Sequence, residues 1–435
     1  VQVSDYSPPI SPSLAQQQDA LQKGLGRAMQ WAMAGSLADQ PLLDACLHDK
    51  RFDSQCEDNR GEWLWNIMDA AGAVGRFREP ILEALRSITT ESDAYQLCEL
   101  AFHFATQGDV AFETALYEFV EKKPVADCPW IGEGQLLELG GETAFPLIAR
   151  VRGRLLEQRD WKWDDAAVVD RAVEKLGEQR AQELLNSNDD AAIRRFLAGW
   201  RNYTSRPQEP QRQSHAERMR AITVDEILSA AKADDTRSVQ FRFRGWGMHA
   251  DEMDLAVVLR HLWNASETKV LVNLLKVFSN RPLPHFDAQL IELCRHSEPD
   301  VQRWAINALE NNTHPLIRAF ALAELRERTL NASVVGLFIN NYVEGDENRL
   351  RELVEMPEDS WERHGVLIDV LNVLEKNPEA DATQLALVAY FHTPCEMCRF
   401  RAVELLVAQD AAPRWLIEEC RHDSAEDCRT LVEAN

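Results

Sequence analysis

A seven-residue segment occurs twice in this chain. Leu290-Ile291-Glu292-Leu293-Cys294-Arg295-His296 returns as Leu416-Ile417-Glu418-Glu419-Cys420-Arg421-His422, an offset of 126 residues with six of seven positions identical. A shorter step lies inside that spacing. Ser266, Glu267, Val270, Phe278 and Asn280 align with Ser297, Glu298, Val301, Leu309 and Asn311 at an offset of 31. Four steps of about 31.5 residues span the longer offset, so one period accounts for both. Leu42-Leu43-Asp44-Ala45-Cys46-Leu47-His48 is a fainter echo near the N-terminus. Two helices of roughly 10 to 14 residues with short turns fill such a period, and each pair carries more apolar face than it can bury alone. Stacking pair upon pair is the arrangement that buries the remainder.

Apolar spacing points the same way. Leu255 to Leu259 with Leu262 and Trp263 make one broad face, and Val270, Leu271, Leu274, Leu275, Val277 and Phe278 make another. Short amphipathic segments then follow one another, broken at Pro282, Pro284, Pro315, Pro357, Pro378 and Pro394. Strand-like alternation is rare. Its clearest instance is Val239-Gln240-Phe241-Arg242-Phe243-Arg244-Gly245-Trp246, which has no evident partner strand.

The segment Glu298-Pro299-Asp300-Val301-Gln302-Arg303-Trp304-Ala305-Ile306-Asn307-Ala308-Leu309 resembles the second helix of a HEAT repeat. In that family an acidic or proline-bearing turn precedes a Val, an Arg, and then Ala and Leu at helical spacing. His314-Pro315 with Arg318, Ala321 and Leu325 is similar, as is Pro394 with Arg399, Ala402 and Leu405. The resemblance covers about 255 to 435, and the helical pattern alone extends it upstream. It implies an all-α fold, a right-handed α-solenoid of antiparallel helix pairs. It also implies a concave surface lined by second helices, on which Arg303, Arg318 and Arg399 stand near helix starts, exposed or paired with an acidic turn. HEAT-like solenoids serve many purposes, so fold alone does not assign a function.

Four regions are expected: a loose arm over 1–18, rich in Pro, Ser and Gln; an irregular helical-repeat region over 19–205; a linker or long loop over 206–217; and HEAT-like repeats over 218–435. With 435 residues, 45% of them hydrophobic and 27% charged, the chain suits a folded array and excludes wholesale disorder. No run approaches the length of a membrane-spanning helix. Nine scattered cysteines and no secretory pattern point to reduced thiols and a cytoplasmic location. The 71 acidic against 47 basic residues leave a net charge of −24, which repels DNA and anionic membranes on average.

Familiar catalytic signatures are absent from the sequence: there is no phosphate-binding loop, no nucleophile elbow and no zinc-protease helix. Four clusters remain. His392, Cys395 and Cys398, followed by Cys420, His422 and Cys428, have residue types that suit zinc, although cysteine is also a common small core filler. Arg242, Arg244 and Trp246, with His249, Asp251 and Glu252, could clamp a phosphate or carboxylate; the plainer account has the aromatics filling a groove and the acids capping the next helix. Between Lys50 and Arg60, Arg51 and Arg60 could pair with nearby acids and fix the loop. The stretch 194–220 holds seven arginines against two acids, a local charge of +5. Arg194, Arg195, Arg201, Arg218 and Arg220 lie there, and Trp200 is interleaved, a mix that could contact nucleic acid or answer the chain's own acidic surface.

The expectation from these residues is a noncatalytic scaffold that binds a protein partner along its concave face, with no cofactor unless the Cys/His set takes zinc. The alternative is a nucleic-acid binder, similar to HEAT-like DNA glycosylases, using 194–220 and the Arg242/Arg244/Trp246 segment.

Overall fold

The computed structural model describes residues 6–434 apart from 123, 126–127, 129, 159–166, 205–213, 234–237, 329 and 331–332. Among the described residues the chain forms 26 α-helices and no strand. None of these helices is long and apolar enough to cross a membrane. Most of the expected 206–217 linker lies outside the described residues. The helical region begins inside the expected N-terminal arm, because Ser13 and Gln16 form a reciprocal capping box that starts the helix Leu14–Lys23.

The strand-like segment is a helix, Ser238–His249. Phe243 and Trp246 are three apart and both buried, so two residues that a strand would hold on opposite faces share one helical face. The Trp246 indole N–H donates to the Ile222 carbonyl at 2.8 Å. Gly247 permits the close packing of this helix on Thr268–Val277, since a Cβ there would overlap the Val277 carbonyl oxygen.

Close contacts gather the chain into two units, each drawn from separate stretches of sequence. The first comprises Ser7–Glu209, Cys395–Met397 and Arg414–Asn435; the second comprises Val1–Tyr6, Pro210–Pro394 and Cys398–Pro413. In the first unit, buried ion pairs fasten the early helices to the last ones. The Arg27 guanidinium on Arg27–Met33 makes two 2.8 Å bonds to the Glu419 carboxylate on Arg414–Cys420, and both groups are buried. Gly26 lets the backbones meet there, because a Cβ would overlap the Glu419 carbonyl. Trp63 donates to the His422 carbonyl at 2.9 Å. Arg60 pairs with Glu57 at 2.9 Å and lies 3.8 Å from Glu396, whose carboxylate accepts from Ser424 at 3.0 Å.

In the second unit the helices Thr268–Val277 and Pro299–Glu310 start 31 residues apart, each preceded by an extended glutamate. Asparagines carry hydrogen bonds between successive segments. Asn311 donates to the Ser279 carbonyl at 3.0 Å and Asn340 to that of Glu310 at 2.6 Å. Asn312 accepts from the Leu283 N–H at 3.0 Å, and Asn341 accepts from that of His314 at 2.9 Å. The Asn341 amide also donates to the Asn312 and Leu337 carbonyls at 2.8 and 2.9 Å. These bonds satisfy backbone groups at turns, where no helical partner exists.

Removing one member of a buried ion pair strands the other. Arg27→Ala should therefore lower stability by about 3–5 kcal/mol, whereas Arg27→Met with Glu419→Met should recover much of it. Equilibrium denaturation checks this; a loss under about 1 kcal/mol for Arg27→Ala would show that Glu419 is not confined as described.

Candidate functional site

A cleft of about 900 Å³ opens in the second unit between Pro299–Glu310, Pro315–Glu327, the 3-10 turn Val335–Phe338 and Ser360–Lys376. Local sequence sets each wall. Pro299 and Pro315 occupy first-turn positions, where a missing N–H costs nothing. The Pro315 helix stops at Arg328, which adopts left-handed backbone with φ 55°. Its side chain then pairs with Glu355 at the rim. Asp359 caps the Ser360 helix by accepting from the Trp361 and Glu362 N–H groups, both at 2.9 Å. Trp361 stands at the rim, 60% exposed.

Three carboxyl groups line the interior: Glu324, which is buried and met by Arg295 at 3.6 Å, Glu310 at the end of the Pro299 helix, and Asp369 within the Ser360 helix. Burial pushes the Glu310 carboxyl up to about 8, with the Asp369 charge adding to the rise. Asp369 is pushed up by burial to about 7, even though hydrogen bonds from Ser333 and the Gly336 backbone pull the other way. Glu310 has no such help: among the described residues its carboxylate has neither a hydrogen-bond donor nor an ion-pair partner. It rests against Gly336, where a Cβ would stand 2.8 Å from its Oε1. Ile306, Leu325, Val335, Leu353 and Val366 supply apolar wall. Among the described residues, no histidine, lysine or cysteine lines the cleft. The site can hold protons near neutrality and, on releasing them, receive positive charge.

Beside the cleft the structure brings together residues that the sequence left apart. Arg244, Lys276 and Arg303 surround the Trp304 ring at 6.0, 5.3 and 5.7 Å. Lys276 is buried, which pushes its ammonium below the usual lysine range. Arg303 is exposed and pairs with Asp300 at 2.8 Å. Trp304 lay inside the HEAT-like motif, and its flanking arginine was the signal that could have marked it.

The remaining sequence candidates are placed as follows. Arg318 pairs at 2.6 Å with the buried Asp346, and Arg399 is completely buried, so neither side chain stands open for a partner. Trp246 is buried as well, while Arg242 and His249 are half-buried and Glu252 is exposed. The His249 ring meets that of His215 edge-on at 6.1 Å, and Asp251 caps the following helix by accepting from the Asp254 N–H at 2.8 Å. In the basic stretch, Arg194 pairs with Asp189, Arg195 with Glu157 at 3.0 Å, and Arg201 donates to Asn186 at 2.9 Å. Trp200 is half-buried; Arg218 and Arg220 are exposed. Arg51 pairs with Asp49 at 2.6 Å and donates to the Glu57 carbonyl at 2.8 Å, which fixes the 50–60 loop.

Of the Cys/His set, Cys395, Cys398, Cys420 and Cys428 are buried. The Cys398 thiol lies 3.3 Å from Nε2 of His364, a residue that spacing did not connect with it, and this pair belongs to a His/Cys group that could hold a metal ion. His392 packs against the Tyr6 ring at 6.2 Å. Burial pushes the His422 imidazole below its ordinary value.

Glu310 and Asp369 both titrate higher in the folded chain than in the unfolded one. Their contribution to stability is therefore complete below about pH 4 and is lost as pH rises through the folded values near 7 and 8. Glu310→Gln with Asp369→Asn should shrink the stability lost between about pH 6 and pH 9 by ~1–3 kcal/mol. Denaturation curves at the two pH values measure it, and parallel losses in variant and parent would refute it.

Comparison with protein-family models, with curated proteins and with solved structures finds no match for this chain.

Proposed function

We propose that this protein is a noncatalytic binding scaffold of the HEAT-like, right-handed α-solenoid type, and that a protein partner docks along the cleft lined by Glu310 and Asp369. One observation carries the reading: an open cleft of about 900 Å³ holds Asp369 and Glu310, the latter unpartnered among the described residues, beside apolar walls. Ligand sites run from roughly 300 to 1,000 Å³ and combine apolar lining with a few convergent polar groups, so this cleft lies at the roomy end. The neighbouring Trp304 with its three cations, and Trp361 at the rim, provide the aromatic and arginine side chains that anchor protein interfaces. The 31-residue step between helix starts and the asparagine bonds between segments support the solenoid. Internal pairing of Arg194 and Arg195 weighs against the nucleic-acid alternative, since those charges already have acidic partners.

The test is capture of partners by tagged full-length chain from its native lysate, with and without nuclease, alongside Trp361→Ala. A stoichiometric protein should survive nuclease and fall at least about tenfold with Trp361→Ala, the effect of losing an interfacial tryptophan anchor. Capture of nucleic acid, with accompanying proteins lost after nuclease, would overturn the reading.

A further inference from the structure

Positive charge is present at the rim of the cleft and is already committed. Arg303 is held by Asp300 and Arg328 by Glu355. Glu324 in the cleft wall is likewise met by Arg295 at 3.6 Å, but two interior carboxyls are left without a cation among the described residues: Asp369 has the neutral donors Ser333 and Gly336, and Glu310 has none. A partly buried carboxylate in that condition destabilises the fold unless it keeps its proton or meets a cation. Gly336 makes room for the Glu310 carboxylate against the turn backbone, so the group is accommodated there by the local sequence. Apolar side chains beside these acids offer a path for an alkyl chain ending in charge, the form of a long basic side chain.

We propose that the cleft is a socket for a lysine or arginine side chain of a partner protein, its cationic head received by Glu310 and Asp369 and its alkyl stem lying along Ile306, Leu325, Val335 and Val366. The inference rests on the binding reading above and names the chemistry that the partner must bring. Binding leaves both carboxyls ionised, so any proton they carried passes to the solvent as the cation enters. Affinity therefore rises with pH between about 6 and 8.5, within the range where these groups titrate.

The test uses full-length chain and a capped heptapeptide with one central lysine among alanines. Its arginine and norleucine counterparts and free spermidine are run beside it. Calorimetry in two buffers of different ionisation heat reads affinity and proton release together. The lysine or arginine peptide should bind at least about tenfold more tightly than the norleucine peptide, with proton release at neutral pH, as expected for a charged group meeting a desolvated partner. Glu310→Gln with Asp369→Asn preserves side-chain shape and should abolish both the discrimination and the proton release. Equal binding of lysine and norleucine peptides, discrimination that survives the double variant, or binding of spermidine without the basic peptides would each overturn the socket. If lysate capture succeeds while the peptides fail, the socket alone is wrong; if no protein partner is captured, the scaffold reading fails whatever the peptides do.

Discussion

Short helix pairs leave turn backbone without helical hydrogen-bond partners, and in the second unit asparagine amides supply the missing partners. Asn311, Asn312, Asn340 and Asn341 bond carbonyls or N–H groups 27 to 32 residues away, so each segment finishes the turns of its neighbour. Such a bond depends on register. A shift of one residue would leave buried polar groups unmet, at about 1–3 kcal/mol each. The apolar faces supply the drive to stack, and the asparagines select the alignment. The cleft depends on this alignment, because Glu310 ends the helix whose carbonyl Asn340 holds and Gly336 lies in the turn just before Asn340.

The first unit solves a different problem. Its stretches come from opposite ends of the sequence, and bringing them together carries an entropic cost that local contacts do not repay. Buried ion pairs of fixed geometry give the join its specificity. Arg27 with Glu419 is bidentate and buried, so neither charge can be removed singly without stranding its partner. Around Arg60, acids from two distant stretches, Glu57 and Glu396, share one guanidinium. Sequence distance here is no guide to spatial distance.

That distinction decides what was legible in the sequence. Helical character could be read from the spacing of Val270, Leu271, Leu274 and Leu275, because helix periodicity is a local property. Loop fixation by Arg51 and Arg60 was legible for the same reason, although Asp49 was the unforeseen partner. The Ser238 helix was misread because Phe241, Phe243, Arg242 and Arg244 alternate over a few residues. The decisive constraint, contact of Gly247 with Val277, comes from thirty residues away. Asp369 and Glu310 drew no attention, since each sits singly in an ordinary amphipathic helix. Only the turn between them in sequence, with its Ser333 and Gly336, brings both to one cleft.

A stable helical fold has no use for an uncompensated carboxylate in the wall of a cleft. Leucine at the position of Glu310 would add apolar burial and remove a group that folding must keep protonated or leave strained by desolvation. Other acids in this unit show the ordinary solution: Asp346 is completely buried and is met by both Arg318 and Arg349 at 2.6 Å. The same fold supplies arginine to Asp346, and to Glu324 in the cleft wall through Arg295 at 3.6 Å, while Glu310 has none among the described residues. The charge missing from Glu310 is then a property of the site, and an incoming cation completes it as Arg318 and Arg349 complete Asp346.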